Sequence, residues 1–473
     1  MATKHLPLHI LLPLIALFAL ATTSCIEDGF TTDASDQPAF STDTLNLGIV
    51  FTEAGTPTHS FMVYNRADKN LRISSITLRG GSEVFRLNVD GISARQFSDV
   101  EIRPNDSIYV LVEATLPANG TNTPVLVEDH LDFLTNGVTN TVVLRAEGQD
   151  INRLKGEVIT ADTRFTADRP YQIYDSLIVA PDATLTIDPG VTLYFHDKAH
   201  MRVDGRLICN GTPEAFIAFR GDRTDNVVGK INYEIMSGQW GGVTFAPSSH
   251  DNYMTHTSVR NSSYGVQVDS VASASSPALT LHNCILRNSA GSVLTVYHSN
   301  VTAIGCEFAE AATGVVWLHG GSQIFNHCTF SNYYLFAVPS TPIINLSHLN
   351  PDSDDLSGLP YLTAEITNSI IYGLGSELSH GDLTSTAVTL RSCLLKSAGA
   401  DDDNFISCLW DSDPLFYTVR EDYIFDYRLH DDSPAIAAAD PTLTLPAASL
   451  DIYGLPRGAT PDLGAYVYTP EEE

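Results

Sequence analysis

Three cysteines, Cys284, Cys306 and Cys328, stand 22 residues apart in matching local settings. Asn283-Cys284-Ile285-Leu286 is echoed by Gly305-Cys306-Glu307-Phe308 and by His327-Cys328-Thr329-Phe330, and weaker copies centre on Thr257, Ser369 and Cys393. A short strand containing Val or Leu runs near each unit, as in Gly265-Val266-Gln267-Val268, Ser292-Val293-Leu294-Thr295 and Gly314-Val315-Val316-Trp317. A unit this short cannot bury its own apolar face, so the copies must stack and share one continuous core. Two or three strands per period with Gly or Asn at the bends make one coil of a right-handed parallel β-helix, its rungs about 4.8 Å apart. Asn suits the bends because it tolerates left-handed backbone angles.

The same spacing sorts side chains by face. Cys284, Cys306 and Cys328 share the parity of Leu286, Phe308 and Phe330 and are expected inside, as buried free thiols rather than disulfides, because side chains stacked in a ladder run parallel to one another. Along the strand expected to line a cleft, the outward positions read Gln267 and Asp269, then Leu294 and Val296, then Val316 and Leu318. That is an apolar stripe expected to pack beneath an inserted loop. Arg260 and Arg287 fall in one outward register with Lys396 farther along, and are expected to be solvated or paired with carboxylates.

Few residues carry a chemical signature. His196 with His200, and His298 with His319, are suggestive as pairs but are expected to be satisfied strand or turn residues. The insertion 338–362 carries Asp352, Asp354 and Asp355, whose carboxylates have the chemistry of a Ca²⁺ loop without its closing Glu. Asp401, Asp402 and Asp403 read as a solvated loop. No CxxC pair and no HExxH occurs, so no metal, no cofactor and no catalytic residue is assigned.

The N-terminus has Lys4, an apolar run over Leu6–Ala21 broken by Pro7 and Pro13, and then Thr22-Thr23-Ser24-Cys25. This is the organisation of a signal peptide, and the run is too short to span a membrane. A small residue directly before a lone Cys resembles the bacterial lipoprotein signal, which implies cleavage after residue 24 and lipidation of Cys25. Thr22 stands where that signal usually has Leu. Residues 25–39 read as a flexible tether. Glu27-Asp28 is similar to the acidic export tags of surface lipoproteins in some Gram-negative lineages. The expected location is therefore the outer membrane, exposed on the cell surface, with the membrane as partner through the lipid.

Residues 40–150 alternate short strands with turn clusters such as Thr135-Asn136-Gly137, at the spacing of a β-sandwich. Leu47-Gly48, Val63-Tyr64-Asn65 and the closing Leu144 to Gly148 resemble the Ig-like modules related to ASH and HYDIN domains. Residues 151–410 carry the coils. Their opening strands, such as Thr184 to Phe195 and Met201 to Thr212, resemble secreted β-helix proteins of the pectate-lyase-like superfamily. Asp413-Pro414-Leu415-Phe416, Ser433-Pro434-Ala435-Ile436 and Asp462-Leu463-Gly464-Ala465-Tyr466 resemble the C-terminal cap of that group, which places a cap at 411–473. Ala437, Ala439 and Val467 depart from its usual Asp, Gly and Glu.

The fold class is thus all-β: a parallel β-helix preceded by an immunoglobulin-like sandwich. With 56 acidic against 26 basic residues the formal charge is −30, which excludes a nucleic-acid partner because phosphates are held by cations. The display apparatus, with no catalytic constellation, points to a cell-surface glycan-binding or adhesion protein, with polysaccharide or host surface as ligand. The superfamily resemblance implies an alternative, a polysaccharide lyase or glycoside hydrolase.

Overall fold

The computed structural model describes residues 29–81, 83–228, 231–269, 277–349, 358–379 and 383–470. The signal segment, Cys25, and Asp352, Asp354 and Asp355 lie outside the described residues. The chain divides into two compact units, one formed by residues up to Gln149, the other mainly by Asp150 onward.

The first unit holds two five-stranded sheets. One joins Ala39–Phe40, His59–Tyr64, Ser107–Ala114, Phe85–Val89 and Ile92–Ala94; the other joins Thr44–Phe51, Val138–Gln149, Val125–Thr135, Leu71–Leu78 and Gln96–Ile102. Pairing is antiparallel except between Thr44–Phe51 and Val138–Gln149. Alternate residues of both sheets, among them Phe61, Val63, Ile73, Val110, Phe133 and Leu144, form one core. Asn136 and Gly137 both have positive φ, 49° and 82°, and close a two-residue hairpin whose twist matches its strands. The segment read as a flexible tether is fixed over its described part. Arg72 stacks its guanidinium 3.8 Å from the Phe30 ring, and Asn136 donates to the carbonyls of Asp33 and Asp36.

The second unit is a parallel β-helix of three faces. Each coil contributes a strand to a first face (Leu279–His282, then Val301–Ile304, then Ser322–Asn326), to a second (Ile285–Ser289, Glu307–Ala311, Thr329–Asn332) and to a third (Leu294–Tyr297, Val316–His319, Ile344–Ser347). The first face is a ten-stranded sheet among the described residues; the second and third are connected in a seventeen-stranded one. Leu281, Leu286, Leu294, Phe308, Val316 and Phe330 point into a core from all three faces. Phe308 stacks on Phe330 across one rung at 5.2 Å. Cys284, Cys306, Cys328 and Cys393 are buried free thiols, and the Thr257 and Ser369 copies fall in the same ladder, since Ser258, Ile285, Glu307, Thr329, Ile370 and Leu394 pair in series.

One left-handed residue turns the chain from the first face to the second in successive coils: His256, Asn283, Gly305, His327, Asn368 and Ser392 all have φ between 41° and 63°. Bending in a single residue is what permits a strand to follow so closely. The next bend uses Asn261 and Asn288, at φ 67° and 57°, and then Glu310 at φ 48°.

The C-terminal segment differs from expectation. Residues 411–470 do not cover the end of the coil stack but run back along its flank. Asn283 donates to the carbonyl of Asp451 at 3.0 Å, Asn326 to Leu443 at 2.9 Å and Asn368 to Asp440 at 2.9 Å. Ile452, Ala465 and Tyr466 pack on Ile285 and Ala309; Leu429 and Ala435 pack on Ile370 and Leu394. The cause lies in the corner amides, whose free donors are satisfied by the returning backbone. The last coil is closed by residues 399–412. There Asp401 accepts from Trp410 Nε1 at 3.1 Å and from the Ser407 amide at 2.6 Å, and Trp410 packs on Phe405. Asp401 therefore organises a loop that was expected to be merely solvated.

Candidate functional site

The outer side of the third face is where the sequence reading needs correction. Leu294, Val296, Val316 and Leu318 are fully buried in the core. Their outward placement follows from matching Gly265-Val266-Gln267 to Ser292-Val293-Leu294 and Gly314-Val315-Val316, an alignment one residue short. Gln267 pairs with Thr295, not Leu294. A slip of one residue exchanges the two faces of a strand.

The outward row is Arg202, Thr244, Gln267, Thr295, Trp317, Asn345 and Ser379, each paired with the next. Beside it runs a shorter row of Tyr297, His319 and Ser347. The rings form a stack: Tyr297 lies on His319 at 5.0 Å and 7° between planes, and His319 lies against Trp317 at 5.7 Å and 23°. His319 Nδ1 is 2.6 Å from Ser347 Oγ, and burial, then the neighbouring His298, lowers its pKa, so it is neutral at pH 7. Tyr297 is 37% exposed. Gly314 gives room for this arrangement: a Cβ there would run into the Asn345 amide and the Trp317 indole nitrogen.

Charge on this face is compensated locally. Arg202 bonds Asp204 at 2.7 Å, which raises the arginine pKa. Gln267 Nε2 donates to Asp269 Oδ1 at 2.6 Å. The face offers an aromatic stack, the Gln267 amide and several hydroxyls, while Asn345 is buried with its amide donating to the Pro342 carbonyl at 2.9 Å.

The second face carries the ionisable cluster. Arg260 and Arg287 share a register as expected, yet the Arg287 side chain is largely covered, at 17% exposure. It pairs with Glu307 at 3.0 Å, and Tyr466 and Tyr427 of the returning segment donate to Glu307 and Glu310. Glu307 is 0% exposed and Glu310 1%. Burial, only partly countered by Arg287, pushes the Glu310 pKa up to about 8. For Arg287, burial works against the charge, and Glu307 overrides it and holds the pKa above its ordinary value. Burial and the adjacent Arg287 bring Arg260 down to about 10. These carboxylates have the composition of an acid–base pair, but the C-terminal segment closes over them, so the cluster binds that segment rather than a ligand. Lys396 donates to the carbonyls of Gly373 and Gly375 at 3.0 and 3.3 Å.

Of the two histidine pairs only the second is brought together: the His298 amide donates to the His319 carbonyl at 2.6 Å, while His196 and His200 go to different surroundings. His196 bonds Asp222 at 2.8 Å and lies tilted against Tyr174 at 4.6 Å, while His200 lies on the third face. His298 turns a corner at φ 46° and meets His348 edge-on at 4.9 Å. Among the described residues no cluster of His, Cys, Asp or Glu is arranged to hold a metal ion.

No protein-family model matches the chain, and no curated protein matches its sequence. Among solved structures, a family 123 glycoside hydrolase from Clostridium perfringens, described for glycolipid glycan hydrolysis, is 8% identical with a TM-score of 0.17, covering 24% of this chain and 25% of that one. The VesB protease of Vibrio cholerae is 18% identical with a TM-score of 0.18, covering 25% of this chain and 33% of that one. Each likeness spans at most a third of the neighbour's length, and neither carries an argument about fold or activity.

Proposed function

We propose that this chain is a non-catalytic glycan-binding or adhesion protein, anchored through Cys25 and displayed on the cell surface. The observation that carries the reading is the third face, where Tyr297, His319 and Trp317 stack beside Gln267 and Thr295. Sugar rings present apolar C–H faces to aromatic groups and hydroxyls to amides, which is the chemistry of such a row. Binding is favoured over turnover by the placement of carboxylates. Among the described residues, those in register on this face, Asp204 and Asp269, are each held by a neighbouring side chain, and the buried pair Glu307 and Glu310 is closed off on another face.

The test is a polysaccharide panel, with and without Ca²⁺, read for reducing ends and unsaturated uronate absorbance beside a glycan-binding array. Retention on the array without product formation is the expected result. Product release that is lost on Arg202→Ala or Asp269→Asn would establish the lyase or hydrolase reading instead.

A further inference from the structure

The third face also restricts what kind of glycan it takes and how the glycan lies, an inference that rests on the binding reading above. We propose that its ligand is an uncharged, linear polysaccharide running parallel to the axis of the coil stack, with its sugar rings against the Tyr297–His319–Trp317 stack and its hydroxyls on Gln267 and Thr295.

Orientation follows from the register. Thr244, Gln267, Thr295, Trp317, Asn345 and Ser379 occupy successive rungs of one straight row. At about 4.8 Å per rung, the row extends roughly 24 Å. A chain laid along it meets an amide, a hydroxyl or an aromatic ring at each of these rungs except that of Asn345, whose side chain is buried against Pro342. A chain laid across the face meets only two outward positions of a strand, such as Thr295 and Tyr297, before reaching the bends at His298 and Gly291. Only the lengthwise path gives a long chain repeated contacts, so only it lets affinity grow with chain length.

Neutrality follows from charge. A uronate or sulfated polymer needs a cation at regular intervals. On this row the cation is Arg202, and Asp204 already neutralises it at 2.7 Å. Asp269 adds a carboxylate beside Gln267, and the chain as a whole carries −30. Hydroxyls, by contrast, can both donate to Asp269 and accept from the Gln267 amide.

Titration calorimetry of the full mature chain with graded-length oligosaccharides from cellulose, mannan and xylan, and with oligogalacturonates as the acidic series, tests both parts. At least one neutral series should bind, tighten steadily with length, and depend little on salt. Tyr297→Ala and Trp317→Ala should each weaken binding tenfold or more with the melting temperature kept. Should Trp317→Ala prove poorly folded, Thr295→Arg, which puts bulk in the middle of the row and removes no buried atom, should block long oligomers more than disaccharides. Neutral binding that stops improving beyond a disaccharide would overturn the lengthwise path. A preference for oligogalacturonates would overturn the neutral class, and either result would leave glycan binding itself standing. Failure of every neutral and acidic series, with the protein folded, would overturn both this inference and the glycan reading beneath it.

Discussion

Arg287 reaches diagonally across one rung to Glu307, 3.0 Å away, and the returning C-terminal segment covers the pair so that Glu307 is fully buried and Arg287 17% exposed. As an outer-face arginine it would tolerate replacement within about 0.5 kcal/mol. Its burial changes the expectation: Arg287→Ala leaves the Glu307 carboxylate unpaired and should cost about 3 to 5 kcal/mol in urea unfolding. The double variant Arg287→Met, Glu307→Leu should lose much less than Arg287→Ala alone. Equal losses would mean that the pair carries no coupling.

Glu310 makes stability depend on pH in a defined direction. Its folded pKa is raised to about 8 by burial, against an unfolded value near 4.5, so between those values the folded protein holds a proton that the unfolded chain has released. Stability from this group is therefore fully present below about pH 4.5, declines as pH rises to about 8, and is flat above. The groups facing it are Arg287, Glu307, Tyr427 and Tyr333, the last also through its backbone. Glu310→Gln cannot ionise, so its stability relative to wild type should improve steadily from about pH 5 to 8. A pH-independent difference between the two melting curves would show that Glu310 titrates normally.

Phe308 lies between Phe330 at 5.2 Å and Phe325 at 5.9 Å with no exposed surface. Phe308→Ala should cost about 3 to 5 kcal/mol. Ile324→Ala, on the solvent side of a neighbouring strand, should change stability by no more than about 0.5 kcal/mol. Chemical denaturation of both variants checks the assignment of faces.

Ala437 adopts φ 53° while its amide binds Asp462 Oδ1 at 2.7 Å. A Cβ in that region is unfavourable by about 1 to 2 kcal/mol, partly offset in a glycine by unfolded-state freedom. Ala437→Gly should thus raise stability by up to about 1 kcal/mol, seen as a higher melting temperature. A lower one would mean that the Ala437 methyl makes packing contacts worth more than the strain.

The proposed anchor is tested in cells. Cys25→Ala should move the protein from the membrane fraction to the soluble one, and protease added to intact cells should degrade the wild type. Membrane retention of the variant would remove Cys25 as the attachment point, and full protection from protease would place the protein in the periplasm.

The coil architecture was legible because it is local: Cys284, Cys306 and Cys328 repeat at one interval, and Asn283 and Asn368 mark bends that only a few residues tolerate. Face assignment failed where that interval failed. Between Gln267 and its partner Thr295 the chain runs 28 residues, whereas matching Gly265-Val266-Gln267 to Ser292-Val293-Leu294 implies 27, so the outward set arrived one position out and hid Thr295 and Tyr297. Trp317 was in view as part of a strand, but nothing in its own sequence neighbourhood says that His319 and Tyr297 stack beside it. The burial of Arg287 was beyond sequence reasoning for another reason. It depends on Tyr466 and Tyr427, more than a hundred residues downstream, returning to a flank that the expected end cap would have left bare.

That returning segment alters how the molecule comes apart. Coils that touch only their neighbours can fray from either end, each opening at its own modest free energy. Here one stretch of chain is tied to Asn283, His327 and Asn368 in turn, so opening any of those coils also loosens the hold on the others. Unfolding of the β-helix should accordingly be cooperative across them, with amide exchange in the strands around Ile285 and Ile370 sharing one free energy instead of graded values.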